Sequence, residues 1–189
     1  MIYILSYLLG SIPFGLIFSK LLASKDLRNV GSGNIGATNA FRTGNKIVGI
    51  LTFVFDTLKG AGAYLMAILW GEDPSLAFIA GLVSILGHIF PIWLKFKGGK
   101  GIATTLGVIL ISHPTIGLFS LIIWAAIAKI FKMSSLAGMM TAAFISIALI
   151  FMAPRLEYIG FMIILMIIIY RHKDNIRRIQ DKTEMHLNG

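Results

Sequence analysis

The run IVGILTFVFDTLKGAGAYLMAILW, residues 47–70, decides the fold, because it carries only two charged side chains, Asp56 and Lys59. A bilayer core about 30 Å thick needs roughly 20 apolar residues in helical form. This run is long enough to cross such a core, and the turn Gly71–Pro74 (GEDP) closes it. The sequence therefore predicts a transmembrane helix here, followed by a reversal of the chain.

Further apolar runs on both sides extend this prediction to a helical membrane protein. The chain is 57% hydrophobic and 13% charged, whereas a soluble domain has about 25% charged residues. Ile102–Ser112 is about half the usual length, so we expect a short or partly re-entrant span there. We predict an all-α, polytopic bundle of seven transmembrane helices in one domain, residues 1–189. The predicted spans are Met1–Leu22, Ile47–Trp70, Ser75–Leu94 with a kink at Pro91, Ile102–Ser112, Thr115–Phe131, Ser134–Met152 and Glu157–Tyr170.

The distribution of basic residues predicts the orientation of the chain. If all seven runs cross the bilayer, fifteen of the 17 lysines and arginines fall on one side; Arg155 is alone on the other, and Lys59 lies within a span. Loops rich in Lys and Arg face the cytoplasm. We therefore expect the N-terminus outside, and the C-terminus and polar loops in the cytoplasm. The net charge of +9 is thus a topology signal, and no nucleic-acid partner is expected.

Composition also excludes several kinds of site. The chain has no cysteine, which rules out disulfides, zinc–thiolate centres and thiol nucleophiles. The four histidines are scattered and lack carboxylates at ligand spacing. We therefore expect no metal and no cofactor.

The first polar loop contains GSGNIGATN, residues 31–39, followed by Arg42. Its glycines match G-x-G-x-x-G, but no strand precedes them and no βαβ unit follows, so a dinucleotide site is excluded. Glycines let main-chain N–H groups approach an anion, and Arg42 can bind phosphate with two hydrogen bonds. The loop is interpreted as an anion cradle, with an ordinary polar connector as the alternative. Its expected donors are Ser32, Asn34, Thr38, Asn39 and Arg42, with Gly31, Gly33 and Gly36 shaping the backbone.

The second loop, KGGKG at residues 97–101, leads into an apolar helix that contains Thr104. Paired glycines between Lys97 and Lys100, next to a helix N-terminus, favour a second anion cradle. It is not a nucleotide-binding P-loop, because Gly101 stands where Ser or Thr should follow the lysine. The alternative is a basic membrane anchor with flexible glycines.

The charged tail and one membrane span supply the remaining polar candidates. His172 and Asn175 are three residues apart and share a helix face, with Arg178 close to it. The alternative is a solvated helix that binds anionic lipid. Asp56 and Lys59 have the same spacing and can form an ion pair, either for function or for helix packing.

Taken together, these segments resemble the bacterial acyl-phosphate:glycerol-3-phosphate acyltransferases. Gly31–Asn39, Lys97–Thr104 and His172–Glu184 are similar to the three cytoplasmic motifs of that family, in the same order. Asp56–Gly60 and His88–Pro91 resemble its flanking segments. The resemblance covers nearly the whole chain. Two departures are Lys182, where glycine is common, and Lys173, where arginine is common.

The resemblance implies transfer of a fatty acyl group from acyl phosphate to the 1-hydroxyl of sn-glycerol 3-phosphate, in a bacterial cytoplasmic membrane. The products are 1-acyl-glycerol 3-phosphate and inorganic phosphate. The expected catalytic residues are Ser32, Arg42, Lys100, His172 and Asn175. The expected substrate-binding residues are Gly31, Gly33, Asn34, Gly36, Thr38, Asn39, Lys59, Lys97, Gly98, Gly99, Gly101, Thr104, Arg178 and Glu184.

Other functions fit the sequence less well. A transporter of phosphate or a small organic anion is the main alternative, but its site would lie near the membrane midplane on broken helices. A structural lipid-binding protein would explain the basic tail but not the glycine loops. No histidine has an aspartate five residues later, which excludes acyltransferases that use His-x-x-x-x-Asp. Direct transfer is favoured over an acyl-enzyme on Ser32, because no carboxylate is obvious to orient His172 as its base.

Overall fold

The computed structural model describes residues 1–187, which form an all-helical protein without strands in that part of the chain. Two short 3-10 helices, Leu27–Asn29 and Ile92–Leu94, lie in the polar connections. The α-helices are α1 (Ile2–Ser11), α2 (Phe14–Ala23), α3 (Ala37–Phe41), α4 (Lys46–Leu69), α5 (Pro74–Ile89), α6 (Ile102–Ser112), α7 (Pro114–Phe131), α8 (Ser134–Met152), α9 (Arg155–Arg171) and α10 (Lys173–Gln180).

Five helical segments in residues 1–187 are long and apolar enough to cross a membrane. The other two predicted spans correspond to α6, with 11 residues, and α9, with 17 residues. The all-helical class is confirmed, whereas crossing by α6 and α9 and the orientation of the termini stay predictions. The five segments are Ile2–Ala23, Lys46–Leu69, Pro74–Leu94, Pro114–Phe131 and Ser134–Met152.

The first predicted span is not one continuous helix. It is broken between α1 and α2, where Ile12 has extended backbone angles of φ −62° and ψ 119°. Pro13 causes the break, because proline has no N–H to donate and disfavours helical geometry in the preceding residue. The kink expected near Pro91 is confirmed, since α5 ends at Ile89 and a 3-10 turn follows.

Side-chain caps explain where the next two helices begin. The Asn45 side chain accepts a hydrogen bond from the N–H of Ile47 at the start of α4. Asp73 accepts from two N–H groups at the start of α5, and Pro74 occupies the first helical turn. Such caps satisfy donors that have no partner within the helix.

The contacts divide the chain into two compact units, Met1–Val108 and Ile109–Gly189. In the first unit, glycines allow close approach of neighbouring helices. A Cβ at Gly10 would overlap the backbone of Ser84, which brings α1 against α5, and a Cβ at Gly60 would overlap Thr104, which brings α4 against α6. Small residues are typical of packed transmembrane helices.

In the second unit, α8 packs against both α7 and α9. The tail after α10 returns to the connection between α7 and α8, where the Leu187 N–H donates to the Lys132 carbonyl at 2.8 Å. The tail therefore has a fixed position within this unit rather than extending away from it.

Candidate active site

Asn39 is the centre of the first loop, and its buried side chain uses both of its polar atoms on the main chain. The amide nitrogen lies 3.0 Å from the Leu27 carbonyl, 2.9 Å from that of Val30 and 2.8 Å from that of Asn34. The amide oxygen accepts from the Ser32 N–H at 3.0 Å. A neutral amide can donate and accept at once. Asn39 therefore shapes the loop, whereas the sequence suggested a direct donor to substrate.

The main-chain cradle expected between Gly31 and Gly36 is partly bonded within the protein, and its binding of an anion stays a prediction. Three of its N–H groups are satisfied inside the loop, so they do not point toward an anion. Gly31 and Gly33 have φ of 48° and 71°, which glycine adopts without the strain of a Cβ. The glycines thus let the loop fold onto itself. The three N–H groups and their acceptors are Ser32 with Asn39, Gly33 with Val30, and Gly36 with Asn34.

The side chains of Ser32, Thr38 and Arg42 remain as the loop's donors. Within residues 1–187 none of the three side chains makes a hydrogen bond or ion pair. Ser32 is exposed and Arg42 is half-buried. The Arg42 stem lies over Gly31, where a Cβ would be 2.7 Å from Cδ of the arginine. These three side chains are therefore the donors of the loop that have no protein partner in the described part of the chain.

The second loop is attached to the end of α5 through its paired glycines. The Gly98 N–H donates to the Ile89 carbonyl, and the Gly99 N–H to the His88 carbonyl, both at 3.1 Å. A Cβ on Gly98 would overlap the His88 carbonyl oxygen, and one on Gly99 would overlap the His88 ring. These two N–H groups are therefore bonded to the end of α5. Glycine is needed at both positions because a Cβ would prevent this close contact.

The basic side chains of the second loop differ in exposure. Lys97 is exposed and Lys100 is half-buried. Gly101 has φ of 86°, which lets the chain turn into α6. In the first turn of α6, Thr104 is fully buried, and its hydroxyl has no hydrogen-bond partner within residues 1–187. A buried polar atom without a partner is uncommon in folded proteins.

The two loops lie at the same end of the first unit. Leu27, Ile35 and Ala40 from the first loop region form part of one hydrophobic cluster, and Leu94, just before the second loop, packs against it. The common position expected for these two motifs is therefore found within Met1–Val108.

Lys59 makes two polar contacts with the protein inside the first unit. Its ammonium group lies 2.8 Å from Asp56 Oδ1 and donates to the Ile12 carbonyl at 2.9 Å, at the break in the first span. Lys59 is 3% exposed. The predicted ion pair is confirmed, and the expected contact of Lys59 with substrate stays a prediction. His88 joins this cluster, with Nδ1 3.6 Å from Asp56 Oδ1.

In the second unit, His172 occupies the junction between α9 and α10. Its Nδ1 lies 2.8 Å from the Ile168 carbonyl, and the residue is 1% exposed. A carbonyl only accepts, so Nδ1 carries the hydrogen and Nε2 is the acceptor of the neutral ring. The main chain therefore fixes both the orientation and the tautomer of this histidine.

The Glu184 carboxylate is the common hydrogen-bond acceptor of three side chains in the second unit. Its carboxylate accepts from Asn175 at 2.6 Å, Arg178 at 2.8 Å and Ser135 at 2.7 Å. Burial by itself raises the pKa of Glu184, but the hydrogen bonds from Ser135, Asn175 and Arg178 outweigh it and hold the pKa below its ordinary value. The sequence grouped Asn175, Arg178 and Glu184 as substrate ligands, whereas the structure joins them to one another.

Two polar contributors were missed from the sequence. Ser135, at the start of α8, was not expected near the tail. Glu157 begins the last predicted span, where no buried partner was predicted for it; it is 3% exposed and lies 3.2 Å from Nε2 of His113. Burial lowers the pKa of His113, although the charge of Glu157 opposes this effect. These partners are far apart in the chain, and no local spacing connects them.

The site residues thus form two groups, one in each unit. The first unit contains both glycine loops, and the second contains His172, Asn175, Arg178 and Glu184. A common role for the two groups stays a prediction. Within the described residues, no group of three or more His, Cys, Asp or Glu side chains could hold a metal ion.

Comparison with known proteins gives consistent matches over nearly the full chain. Residues 1–182 match the family model described as Glycerol-3-phosphate acyltransferase. A protein of that name from Sinorhizobium medicae (strain WSM419) is 44% identical over 184 residues, with 97% of this chain and 90% of the relative covered. Another from Jannaschia sp. (strain CCS1) is 48% identical over 177 residues, covering 93% and 86%.

The fold also matches two crystal structures of PlsY (YgiH), an integral membrane glycerol 3-phosphate acyltransferase. The glycerol 3-phosphate form has a TM-score of 0.92 and 40% identity, covering 98% of this chain and 93% of that one. The lysophosphatidic acid form has a TM-score of 0.89 and 37% identity, with the same coverage.

Proposed function

Because the chain belongs to the glycerol-3-phosphate acyltransferase family, we propose that it transfers a fatty acyl group from acyl phosphate to the 1-hydroxyl of sn-glycerol 3-phosphate. The hydroxyl oxygen forms an ester bond with the acyl carbon, and the bond from that carbon to the phosphate oxygen breaks. The hydroxyl proton passes to a substrate phosphate. The products are 1-acyl-glycerol 3-phosphate and inorganic phosphate, so atoms and charges balance.

One observation carries this proposal beyond the family assignment. Two loops at the same end of the first unit bond several of their main-chain N–H groups within the protein and carry exposed or half-buried donors, namely Ser32, Arg42, Lys97 and Lys100. Two substrates that each carry a phosphate require two such sets of donors. Holding both reactants in a fixed geometry can supply much of the rate enhancement.

The proposed roles follow from the chemistry of each side chain. Lys97 and Lys100 bind the phosphate of glycerol 3-phosphate, and Arg42 binds the phosphate of the acyl donor, which its planar guanidinium can hold through two bonds. Ser32 donates to the acyl phosphate as negative charge develops. His172, whose Nδ1 is fixed by a carbonyl, orients a substrate through Nε2.

Direct transfer between the substrates is proposed in preference to an acyl-enzyme. Acyl phosphate is already activated, so it does not require a protein nucleophile. A Ser–His pair of the hydrolase kind has a carboxylate on the distal histidine nitrogen, whereas the partner of His172 Nδ1 is the Ile168 carbonyl. Ser32 therefore acts as a hydrogen-bond donor.

We further propose that the chain spans the bacterial cytoplasmic membrane seven times, with α6 and α9 as its two shorter crossings. The charge distribution supports cytoplasmic loops, where water-soluble glycerol 3-phosphate is present. The acyl chains of donor and product remain in the bilayer.

The reaction is tested with purified protein in detergent, given glycerol 3-phosphate and either acyl phosphate or acyl-CoA. We expect equal amounts of phosphate and lysophosphatidate from acyl phosphate, and neither product when glycerol 3-phosphate is left out. Product formation from acyl-CoA alone would contradict the proposed donor. To separate direct transfer from an acyl-enzyme, the protein is incubated with labelled acyl phosphate alone; acyl label on Ser32 by mass spectrometry would overturn direct transfer.

A further inference from the structure

We propose that Asp56 and His88 are positioning residues that hold the Lys97–Lys100 loop in its binding shape. This inference rests on the function proposed above, because it concerns the loop assigned there to glycerol 3-phosphate. The sequence predicted an ion pair of Asp56 with Lys59, but it predicted no contact of Asp56 or His88 with the Lys97–Lys100 loop.

His88 contacts the loop in two ways. Its main-chain carbonyl accepts the Gly99 N–H at 3.1 Å. Its ring lies directly against Gly99, since a Cβ there would overlap Nε2 and lie 2.7 Å from Cε1. Both contacts fix the backbone between the two lysines. His88 is only 4% exposed, so its ring is confined to this place.

Asp56 and Lys59 confine the ring from the other side. Asp56 Oδ1 lies 3.6 Å from His88 Nδ1 and 2.8 Å from the Lys59 ammonium, which also donates to the Ile12 carbonyl. All three ionisable side chains are at most 4% exposed. Removing one partner of a buried charge leaves the other uncompensated, so such groups keep a defined geometry. The contacts therefore run from the break in the first span, through the ion pair and the histidine ring, to Gly99.

The loop needs this support because of its composition. Gly98 and Gly99 have no side chains with which to hold their own backbone, and glycine loses the most conformational freedom on ordering. A loop that orders only when its ligand arrives binds more weakly than one already in the bound shape. The neighbours must therefore supply the order. His88 contacts both glycines, and Ile89 and Pro91 contact Gly98.

A double-mutant cycle tests the contact between the ring and Gly99. In the wild-type background, Gly99→Ala places a methyl group in the His88 ring and should raise the KM for glycerol 3-phosphate at least about tenfold. In the His88→Ala background, the same substitution has room and should change this KM by less than about twofold. Equal effects of Gly99→Ala in both backgrounds would show that the ring does not control the loop.

A second pair of variants tests positioning against general loss of structure. Asp56→Asn and His88→Gln should each raise the KM for glycerol 3-phosphate about tenfold, while the KM for acyl phosphate stays within about twofold. The matched control is Ser84→Ala, one turn earlier on α5, whose hydroxyl donates to the Gly81 carbonyl at 2.7 Å. This variant should change neither KM. If both KM values of Asp56→Asn and His88→Gln change together, or neither does, the positioning role is wrong.

These outcomes are separable from failure of the proposed function. A wild-type protein that makes no lysophosphatidate refutes the function. An active wild type whose KM for glycerol 3-phosphate is insensitive to Lys97→Ala and Lys100→Ala refutes the assignment of the loop. An active wild type that is sensitive to both lysines but insensitive to His88→Gln refutes only the role of Asp56 and His88.

Discussion

The first loop and the C-terminal tail are organised by opposite kinds of side chain. In the loop, one neutral amide, Asn39, binds main-chain groups and leaves Ser32 and Arg42 for a ligand. In the tail, one carboxylate, Glu184, binds the side chains of Asn175, Arg178 and Ser135. The central residue of the loop thus fixes main-chain groups, whereas the central residue of the tail fixes other side chains. The first arrangement is independent of pH, and the second requires an ionised acid.

The largest effect is expected at Asn39. Asn39→Ala removes the acceptor of the Ser32 N–H and the side-chain donor to the Leu27, Val30 and Asn34 carbonyls, and each hydrogen bond lost costs about 0.5–1.5 kcal/mol. Acyl transfer should fall at least about 100-fold. Asn39→Asp should be equally inactive, because a carboxylate cannot donate to the carbonyls. Initial rates and thermal unfolding in detergent measure both. An active Asn39→Asp variant would show that the amide's donors are unimportant.

A large loss of rate without loss of stability is expected at Ser32 and Arg42. Neither side chain is bonded within residues 1–187, so its removal leaves no protein group unsatisfied. Ser32→Ala and Arg42→Ala should each lower kcat/KM by about 10- to 100-fold, with an unfolding temperature within about 2 °C of wild type. Equal losses of rate and stability would mean that these residues support the fold instead.

A moderate effect that depends on the substitution is expected at Glu184. Glu184→Ala removes the acceptor of three side chains and should lower the rate about tenfold. Glu184→Gln keeps an oxygen for Ser135 and Asn175 but loses the charge that pairs with Arg178, so its loss should be smaller. Rates of the two variants, measured in parallel, decide this. A glutamine variant as poor as the alanine variant would show that the charge itself is required.

The pH dependence of stability separates the tail from the loop. The pKa of Glu184 is lowered from 4.5 in the folded protein, so its contribution is present above that value and disappears as the pH falls through the folded pKa. The stability difference between wild type and Glu184→Gln should therefore shrink below about pH 4.5. The stability difference between wild type and Asn39→Ala should not change over the pH range in which Glu184 titrates. Thermal unfolding between about pH 3 and pH 7 measures both differences. If the stability difference for Glu184→Gln were constant over this range, the ionised Glu184 carboxylate would not stabilise the tail.

The smallest effect is expected at Asp26, a carboxylate close to the first loop. Hydrogen bonds from Arg28 lower the pKa of Asp26 to about 2, but the pair is on the surface, where such contacts contribute little. Asp26→Asn should leave the rate within about twofold of wild type. A larger loss would show that the loop also depends on charge, which would weaken the contrast with the tail.

Local patterns predicted some features of the two loops and of one membrane span. Spacing of three residues identified the Asp56–Lys59 ion pair, and glycine content identified both loops. The sequence did not reveal what the polar atoms of those loops would bind. Asn39 was taken for a ligand, although its carbonyl partners lie five to twelve residues away. Glu184 and Ser135 are 49 residues apart, and no sequence period connects them.

The amino-acid sequence alone determined the membrane class, the helices and the position of the polar loops, because hydrophobic runs and charge bias act locally and can be counted along the chain. Tertiary structure decided which groups meet. It placed the Lys59 ammonium on the Ile12 carbonyl at the break before Pro13, and the His88 ring against Gly99. It also decided which main-chain N–H groups of the two glycine loops are bonded within the protein. A polar group bonds the partner that folding places beside it, and that partner depends on how distant helices pack.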